Sequence, residues 1–268
     1  VITDSTVDVG GGADSVVLLG DNARNFTLTG GLTSTSLLGD AGSDTVLIAA
    51  AMTSGFISQA AGVDSLYFAS VVSGTTIVSG GGEDTISLSG AADNLILSAF
   101  SASRLFAGSG ADTLSFIGTA TAGTVDAGAD ADSLYFAGSA IGMSLSGGSG
   151  ADTFWFSGSS TNTTVNGGAD ADVFYYAAGS SQDSLFGDSG ADSFNLQGNV
   201  TSSTLSGGAD ADTFVFAATV SNASVSGGDG ADSFSVASTA VSTTLSGGDG
   251  ADTFLVNTLS NSYISGDL

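Results

Sequence analysis

Hydrophobic residues recur along this chain in a repeat of about 20 residues, and within each repeat they alternate with polar residues. A pair of apolar side chains stands two and four residues after a recurring aspartate, as Leu114 and Phe116 do after Asp112. One aliphatic residue stands seven residues before each aspartate, as Leu105 does. Such alternation is typical of strands with one buried face, since successive strand side chains point to opposite sides. The pattern predicts two short strands in every repeat.

Repeats of this kind can bury their apolar faces by stacking as coils. The predicted fold is therefore all-β, a parallel β-solenoid in which equivalent residues lie about 4.8 Å apart in neighbouring coils. A helix is disfavoured, because each repeat is rich in glycine, serine and threonine and shows no stripe of period 3.6. The aspartates are confined to one turn of the repeat, so we expect a single acidic, glycine-rich loop edge.

The recurring aspartate keeps its spacing over most of the chain. Two runs share this regular spacing, first Asp44, Asp64 and Asp84, and then Asp112, Asp132, Asp152, Asp172, Asp192, Asp212, Asp232 and Asp252. The repeat spacing changes near residues 15–30 and near residues 85–111. In the second region the next aspartate after Asp84 is only nine residues away, at Asp93. Each break is compatible with an extra strand that moves the loops to the other edge, or with a local bulge.

The repeat pattern also bears on domain organisation. It runs from the first residue to the last, which predicts a single solenoid domain over residues 1–268 with the two register breaks inside it. Solenoids usually carry atypical repeats that cap their ends, and we recognise none in this sequence. We therefore expect a segment of a longer protein or an uncapped assembly subunit.

Composition narrows the chemistry that the chain can perform. It has 27 acidic residues, two arginines and no histidine or cysteine, with a net charge of −25, so binding to nucleic acid or insertion into an anionic membrane is not expected. Without histidine or cysteine there is no ordinary general base near neutral pH and no zinc site of the usual kind. We therefore expect no enzyme. The remaining ligands are hard oxygen donors, which suit calcium or magnesium.

The acidic loop carries a recognisable motif. Residues 247–255 read Gly-Gly-Asp-Gly-Ala-Asp-Thr-Phe-Leu, which fits G-G-x-G-x-D-x-U-x residue for residue, and residues 227–235 and 147–155 fit it too. This resembles the repeats-in-toxin (RTX) family, also called hemolysin-type calcium-binding repeats. The resemblance implies a β-roll-like fold, calcium held between stacked turns by carbonyl oxygens and the aspartate carboxylate, and export from the cell.

Two departures from that family matter. The RTX repeat has nine residues and a loop on both edges, whereas this unit has 20 and one acidic loop, so we expect calcium along one edge only. The loops also alternate, because Asp130, Asp170 and Asp210 replace a glycine in every second loop between residues 130 and 230. These three aspartates join the recurring ones as candidate calcium ligands. Whether the sites recur with every repeat or with every second repeat stays open.

Electrostatics favours a cation independently of the resemblance. Carboxylates stacked about 5 Å apart repel by roughly 1 kcal/mol per pair in water and about 3–4 kcal/mol at an effective dielectric constant near 20. The chain has no lysine to offset this repulsion, whereas a divalent cation between coils would convert it into attraction. The alternative is that each aspartate caps its turn by accepting backbone N–H groups.

Aromatic residues recur at the outward position between the two inward ones. They are Tyr67, Tyr135, Trp155 and Tyr175. An exposed aromatic ladder on a polar surface indicates a contact patch for another subunit or a cell-surface glycan. The alternative is cross-strand stacking that only stiffens the sheet.

These observations give three functional hypotheses, all of which place the chain outside the cell, and the first two place it at the cell surface. The first is a calcium-binding structural protein of a surface layer, sheath or filament, in which calcium stiffens the coils and promotes self-association into a polymer or lattice. The second is an adhesin or carbohydrate-binding stalk that uses the aromatic ladder. The third is the repeat region of a secreted RTX toxin or hydrolase.

Overall fold

The computed structural model describes residues 5–10, 12–17, 25–78, 82–88 and 93–266, and every regular element among them is a β-strand. Over most of the chain, strands pair in parallel with the equivalent strands of neighbouring coils, as Val165 pairs with Leu185. The fold is an all-β parallel β-solenoid, which confirms the prediction from the repeat. The chain forms two compact units, Val1–Ala129 and Asp130–Leu268.

Each coil of the second unit contains three strand segments, and in the last two coils the second and third sets merge into one continuous strand. The first set, the long-strand stack, comprises Ser144–Ser149, Thr164–Ala169, Ser184–Ser189, Thr204–Ala209, Ser224–Asp229, Thr244–Asp249 and Tyr263–Ser265. The second set, the aromatic stack, comprises Ser133–Phe136, Thr153–Phe156, Val173–Tyr176, Ser193–Leu196 and Thr213–Phe216, continued by the first halves of Ser233–Val241 and Thr253–Ser260. The third set comprises Ala140–Ile141, Ser160–Thr161, Ser180–Ser181, Val200–Thr201 and Val220–Ser221, continued by the second halves of the same two long strands.

The third strand corrects the prediction of two strands per coil. It is only two residues long, as in Ser160–Thr161, and its first residue points inward while its second points out. Two residues are too few to produce a visible alternation in the sequence. The strand nevertheless pairs in parallel with its equivalents, Ser160 opposite Ser180 and Thr161 opposite Ser181.

Identical side chains stack in columns through the interior of the second unit. Phe174 and Phe194 are buried, and their ring centroids lie 4.4 Å apart with an interplanar angle of 6°. Phe194 and Phe214 continue the column at 4.7 Å. The aliphatic column of the long-strand stack, which includes Val165, is buried as well. Because the repeat is regular, equivalent side chains of successive coils lie directly above one another, and the rings stack at nearly the spacing of the strands.

The first unit has the same three-strand organisation. Its first stack comprises Ser5–Asp8, Asn25–Thr29, Thr45–Ile48, Ser65–Phe68, Thr85–Leu88, Arg104–Phe106 and Thr124–Ala129. Its second stack comprises Ser15–Val17, Ser36–Leu38, Phe56–Ser58, Thr75–Val78, Asn94–Ser101 and Thr113–Phe116. Its short strands are Leu32–Thr33, Met52–Thr53, Val72–Ser73 and Ala120–Thr121, the last of which pairs with the end of Asn94–Ser101.

Within the first unit the aspartates change corners. Asp44, Asp64 and Asp84 directly precede strands of the first stack, whereas Asp93 and Asp112 directly precede strands of the second stack. The expectation of one acidic edge is therefore wrong for this unit. The sequence left two explanations open for the break near residues 85–111. The structure matches the one in which the loops move to the other edge.

The offset between paired strands departs from its usual value at both predicted breaks. It is 21 where Ser15 pairs with Ser36, and 19 where Thr85 pairs with Arg104. A bulge between Ile77 and Val78 accompanies the second change. Residues 18–24 of the first break and 89–92 of the second lie outside the described residues.

None of the described residues forms a helix of the length and apolarity that crossing a bilayer requires.

Candidate functional site: a column of buried aspartates

A single aspartate per coil is buried at the start of the aromatic stack. Each lies at the corner that directly precedes a strand, as Asp172 precedes Val173. We call these residues the acid column of the second unit. They are Asp132, Asp152, Asp172, Asp192, Asp212 and Asp232, all at most 1% exposed, together with the half-buried Asp252.

One oxygen of each carboxylate joins a hydrogen-bond ladder between coils. The Asp152 N–H donates to Asp172 Oδ1 at 2.8 Å, and the Asp172 N–H donates to Asp192 Oδ1 at 2.7 Å. The same bond continues at every step from Asp132 to Asp252, with distances up to 3.0 Å. The alternative hypothesis, that each aspartate accepts a backbone N–H group, thus holds for the Oδ1 atom. The N–H group comes from the preceding coil and not from the aspartate's own turn. This ladder recurs with every coil.

The other carboxylate oxygen lacks such a donor. In Asp152, Asp172 and Asp192 the Oδ2 atom is buried and accepts no hydrogen bond from the described residues. The same holds for Asp212, Asp232 and Asp252. A buried acceptor without a donor is costly, and an ionised one more so. The column therefore presents a row of oxygen atoms that require a proton or a cation.

Glycine five residues before the aspartate makes room for this oxygen in every coil of the acid column except that of Asp132, where Ala127 stands instead. A Cβ on Gly187 would overlap Asp192 Oδ2 and would lie 2.6 Å from the carbonyl oxygen of Gly207. The carboxylate oxygen and a carbonyl oxygen of the next coil therefore converge beside the same glycine. The arrangement recurs at Gly147, Gly207 and Gly227. This recurrence gives the glycine-rich turn a packing reason as well as a conformational one.

Burial raises the pKa of the column carboxylates. The pKa of Asp172 and of Asp212 is about 7, and that of Asp152 and of Asp192 is about 6, against an ordinary value of 3.8. Desolvation is the largest cause, neighbouring carboxylates add to it, and the hydrogen bond to Oδ1 opposes it. Burial also raises the pKa of Asp232. Near neutral pH the column therefore shares protons or binds cations.

The loop aspartates occupy a different position from the column. Asp130, Asp170 and Asp210 adopt positive φ angles of 76°, 75° and 74°, and they lie on the turn. Burial is the main cause of the raised pKa of Asp152 and of Asp172, and the negative charge of Asp170 adds to it in both. The predicted ligand set is thus two rows of aspartates, one inside the coil and one on its loop.

The alternation of the loops has a steric basis. Gly190, which follows Asp170 by one coil, adopts a φ angle of 123°, and a Cβ there would overlap the carbonyl group of Asp170. Gly150 stands in the same relation to Asp130, and Gly230 to Asp210. With the backbone conformation of Gly190, a loop that carries an aspartate must be followed in the next coil by a loop that carries a glycine. Gly250, which follows Gly230 by one coil, shows that a glycine loop can also follow a glycine loop. The loops therefore alternate over two coils, while the acid column recurs in each one.

The first unit holds two shorter acid runs. The Asp44 N–H donates to Asp64 Oδ1 at 2.8 Å, and the Asp64 N–H donates to Asp84 Oδ1 at 2.9 Å. Burial raises the pKa of Asp64 to about 6 and raises that of Asp84. At the other corner the Asp93 N–H donates to Asp112 Oδ1 at 2.6 Å. The candidate set from the sequence omitted Asp93, because the nine-residue step disguised its equivalence to the column.

The donor chemistry suits a hard cation, but carboxylates alone do not complete a site. No group of three or more histidine, cysteine, aspartate or glutamate side chains is placed to hold a metal ion in the part of the chain that the structure describes. Carbonyl oxygens such as that of Gly207 would have to supply further ligands, as they do in many calcium sites. The residues present thus fit calcium only as a mixed set of carboxylate and carbonyl oxygens.

Three of the four outward aromatic residues lie side by side. Tyr135, Trp155 and Tyr175 are register neighbours in the aromatic stack, and the rings of Trp155 and Tyr175 lie 4.3 Å apart. Trp155 Nε1 donates to Ser157 Oγ, which in turn donates to the Tyr135 hydroxyl, each at 3.2 Å. Trp155 remains 42% exposed. Tyr67 belongs to the first unit, where its register neighbours are Leu47 and Ser87.

No protein-family model matches the chain. No curated protein matches it either. Among solved structures, the chain resembles the X-ray crystal structure of a hyperactive, Ca2+-dependent, beta-helical antifreeze protein from an Antarctic bacterium. The two sequences are 22% identical, the match covers 94% of this chain and 83% of that one, and the TM-score is 0.42.

Proposed function

We propose that this chain is a calcium-binding, non-enzymatic structural protein that works outside the cell, and that the bound cation stiffens its stacked coils. The observation that carries the proposal is the row of Oδ2 atoms in the acid column. They are buried, aligned from coil to coil, and accept no hydrogen bond from the described residues at Asp152, Asp172 and the four aspartates that follow at the same spacing.

The chain itself offers little positive charge to balance this column. It has a net charge of −25 and only two arginines. Arg104, the arginine within the described residues, is exposed on a strand of the first unit. The column must therefore take up protons or cations from solution. In the extracellular medium calcium is abundant, and weak oxygen sites are the usual calcium modules there.

The ligands would be the Oδ2 atoms of the acid column together with carbonyl oxygens of the glycine turns, such as that of Gly207. The loop aspartates Asp170 and Asp210 would add negative charge to the site, and Asp130 holds the equivalent position in its own loop. When bound, calcium supplies a positive charge shared by successive coils, which offsets the repulsion between their carboxylates. Folding and cation binding would then be linked.

The test is a calcium titration followed by circular dichroism and urea unfolding. We expect chelation to reduce the β-sheet signal or the unfolding midpoint, and added calcium to restore it. The double variant Asp172→Asn, Asp192→Asn should need more calcium for the same midpoint. The matched control is Asp126→Asn, which removes one charge from the middle of a long strand outside the column. A midpoint that does not respond to calcium in the wild-type chain would contradict the proposal.

Self-association is the second part of the proposal. Chains with a charge of −25 repel one another, and bound calcium would reduce that charge and permit assembly into a polymer or lattice at the cell surface. Sedimentation and negative-stain microscopy with and without calcium would test this. Assemblies that form equally well in chelator would contradict a role for calcium in assembly.

The aromatic face supports a second candidate function, an adhesin or carbohydrate-binding stalk. Residues 133, 135, 153, 155, 173, 175, 193 and 195 point outward from the aromatic stack, and none of them is charged. Trp155 and Tyr135 are exposed by 42% and 38%. An uncharged aromatic surface suits a neutral glycan. Binding to immobilised polysaccharides that is lost in Trp155→Ala but kept in Ile141→Ala, a control at another exposed apolar residue, would favour it.

A further inference from the structure

A cluster of polar side chains interrupts the apolar interior of the second unit. Asp183, Tyr176, Ser180 and Ser160 are all buried, with at most 2% of any of them exposed. We call these four residues the polar cluster. It lies away from the acid column, at the corner that precedes the long-strand stack.

Three members of the polar cluster interrupt columns that are otherwise apolar. Tyr176 stands in register between Phe156 and Leu196. Ser160 and Ser180 stand in a column that continues to Ala140 on one side and to Val200 on the other. Within the second unit, no other coil carries a polar residue at the Tyr176 position or at the Ser160 position in the described range. The polar residues at these otherwise apolar positions, Tyr176, Ser160 and Ser180, therefore occur in the same coil as Asp183 or in the coil before it.

The contacts of Asp183 extend to the coils on both sides. Its Oδ1 atom accepts the Thr163 N–H of the preceding coil at 2.9 Å. Its Oδ2 atom accepts the Ser180 hydroxyl at 2.7 Å. Its own N–H donates to Ser203 Oγ of the following coil at 3.2 Å. The Ser160 and Tyr176 hydroxyls are buried in the adjoining columns, and neither forms a hydrogen bond with the described residues.

Satisfying one backbone N–H does not account for an aspartate at this corner. At equivalent corners a hydroxyl is enough, since the Met143 N–H donates to Thr163 Oγ1 at 3.3 Å and the Thr243 N–H donates to Ser262 Oγ at 3.1 Å. A threonine at position 183 could accept the Thr163 N–H in the same way. Accepting that N–H therefore does not explain why the corner has a second carboxylate oxygen, or why the hydroxyls of the polar cluster surround it.

We propose that the polar cluster fixes the register of the coils in the second unit. Neighbouring coils are so similar that one coil could be excluded from the stack as a loop. The coils on either side of it would then pair directly, and their phenylalanine and aliphatic columns would still be continuous. Such a slip would separate Asp183 from Thr163 and Ser203 in the coils on either side and would break the hydrogen bonds that join them. One specific buried polar contact can select a single register among near-equivalent ones, at some cost in stability. This inference does not depend on calcium.

The register can be read by disulfide trapping, because the chain contains no cysteine. Thr164, Ser184 and Thr204 are register neighbours on the outer side of the long-strand stack. The pair Thr164→Cys, Ser184→Cys reports the native register, since adjacent strands lie about 4.8 Å apart, within disulfide range. The pair Thr164→Cys, Thr204→Cys is two coils apart and can close only when the intervening coil has slipped out.

The decisive variant makes the coil uniform with its neighbours. It combines four substitutions that copy residues of equivalent positions in other coils, so that it retains the means to fold. The changes are Ser160→Ala, Tyr176→Phe, Ser180→Val and Asp183→Thr. Refolded under oxidising conditions, the uniform variant should form the 164–204 disulfide at least about fivefold more than the wild-type background. Its unfolding midpoint should stay equal or rise.

Two further measurements keep the test decisive. Thr243→Val removes a buried hydroxyl at an equivalent corner that does not contact Asp183, and it should leave the 164–204 yield at the wild-type level. If the uniform variant does not regain its β-sheet signal, Asp183→Thr alone carries the test, with the same expected direction. A 164–204 yield equal to the wild-type level in a folded variant would overturn the proposal.

Discussion

At the scale of the residue, glycine serves two separate purposes in the acidic turn. Gly187 and its equivalents leave room for the Oδ2 atom of the aspartate five residues later. Gly190 and its equivalents adopt positive φ angles and lie against the carbonyl group of the preceding coil. The sequence indicated a turn rich in glycine. It could not separate these purposes, because the second depends on a contact between residues in successive coils.

The two constraints on Gly190 can be separated by comparison with Gly142. Gly142 also has a positive φ angle, of 62°, but a Cβ there would meet nothing within 4 Å. We expect Gly142→Ala to lower the free energy of unfolding by about 1 kcal/mol, because of the left-handed backbone alone. Gly190→Ala should lower it by about 1–3 kcal/mol more, through overlap with the Asp170 carbonyl group. Urea unfolding at a fixed calcium concentration measures both. Equal effects would show that the contact between coils is unimportant.

At the scale of the element, the strands of the aromatic stack combine a buried column with an exposed one. Alternation in the sequence was sufficient to predict which residues point inward, since Phe154 and Phe156 are both buried and Trp155 between them is exposed. It was not sufficient to predict the two-residue third strand. The change of corner between Asp84 and Asp93 was only one of two alternatives that the sequence left open, because a nine-residue step shows that the spacing changes but not which strand stack follows.

Burial predicts different costs for truncating the two aromatic columns. Phe194 is buried between Phe174 and Phe214, so Phe194→Ala should lower the free energy of unfolding by about 3–5 kcal/mol. Trp155 is exposed and stacks against Tyr175, so Trp155→Ala should lower it by only about 0.5–1.5 kcal/mol. Chemical unfolding monitored by circular dichroism distinguishes the two. A cost for Trp155→Ala as large as that for Phe194→Ala would indicate that the outward ladder is a principal source of stability.

At the scale of the whole molecule, charge is distributed very unevenly. The chain has a net charge of −25, yet the outward residues of the aromatic stack between 133 and 195 carry none of it. Most of the described aspartates lie instead at the corners and loops, and those of the acid column are buried. The sequence predicted an acid column from spacing alone. It could not predict the burial of the carboxylates, because their direction depends on the ladder formed with the next coil.

Acidification should stabilise the chain when calcium is removed. The folded-state pKa of Asp172 and of Asp212 is about 7, above the ordinary value of 3.8, so the folded state holds protons that the unfolded state has released. Stability in chelator should therefore rise as the pH falls from about 8 to about 5, and level off near pH 4. Urea midpoints against pH measure this. In the double variant Asp172→Asn, Asp212→Asn the urea midpoint should depend less steeply on pH. A wild-type midpoint that decreases as the pH is lowered from 8 to 5 would contradict the burial of the column carboxylates.

The pairing of Asp170 with Gly190 constrains how such a chain can change its length. Removing the coil that carries Gly190 would bring Asp170 and Asp210 into adjacent loops, where the observed backbone leaves no space for a second side chain. Removing the coil that carries Asp210 would instead join Gly190 to Gly230, an arrangement that Gly230 and Gly250 already display. Gains and losses of coils are therefore not equivalent along the chain, and descendants of this gene should vary in length where two glycine loops can meet.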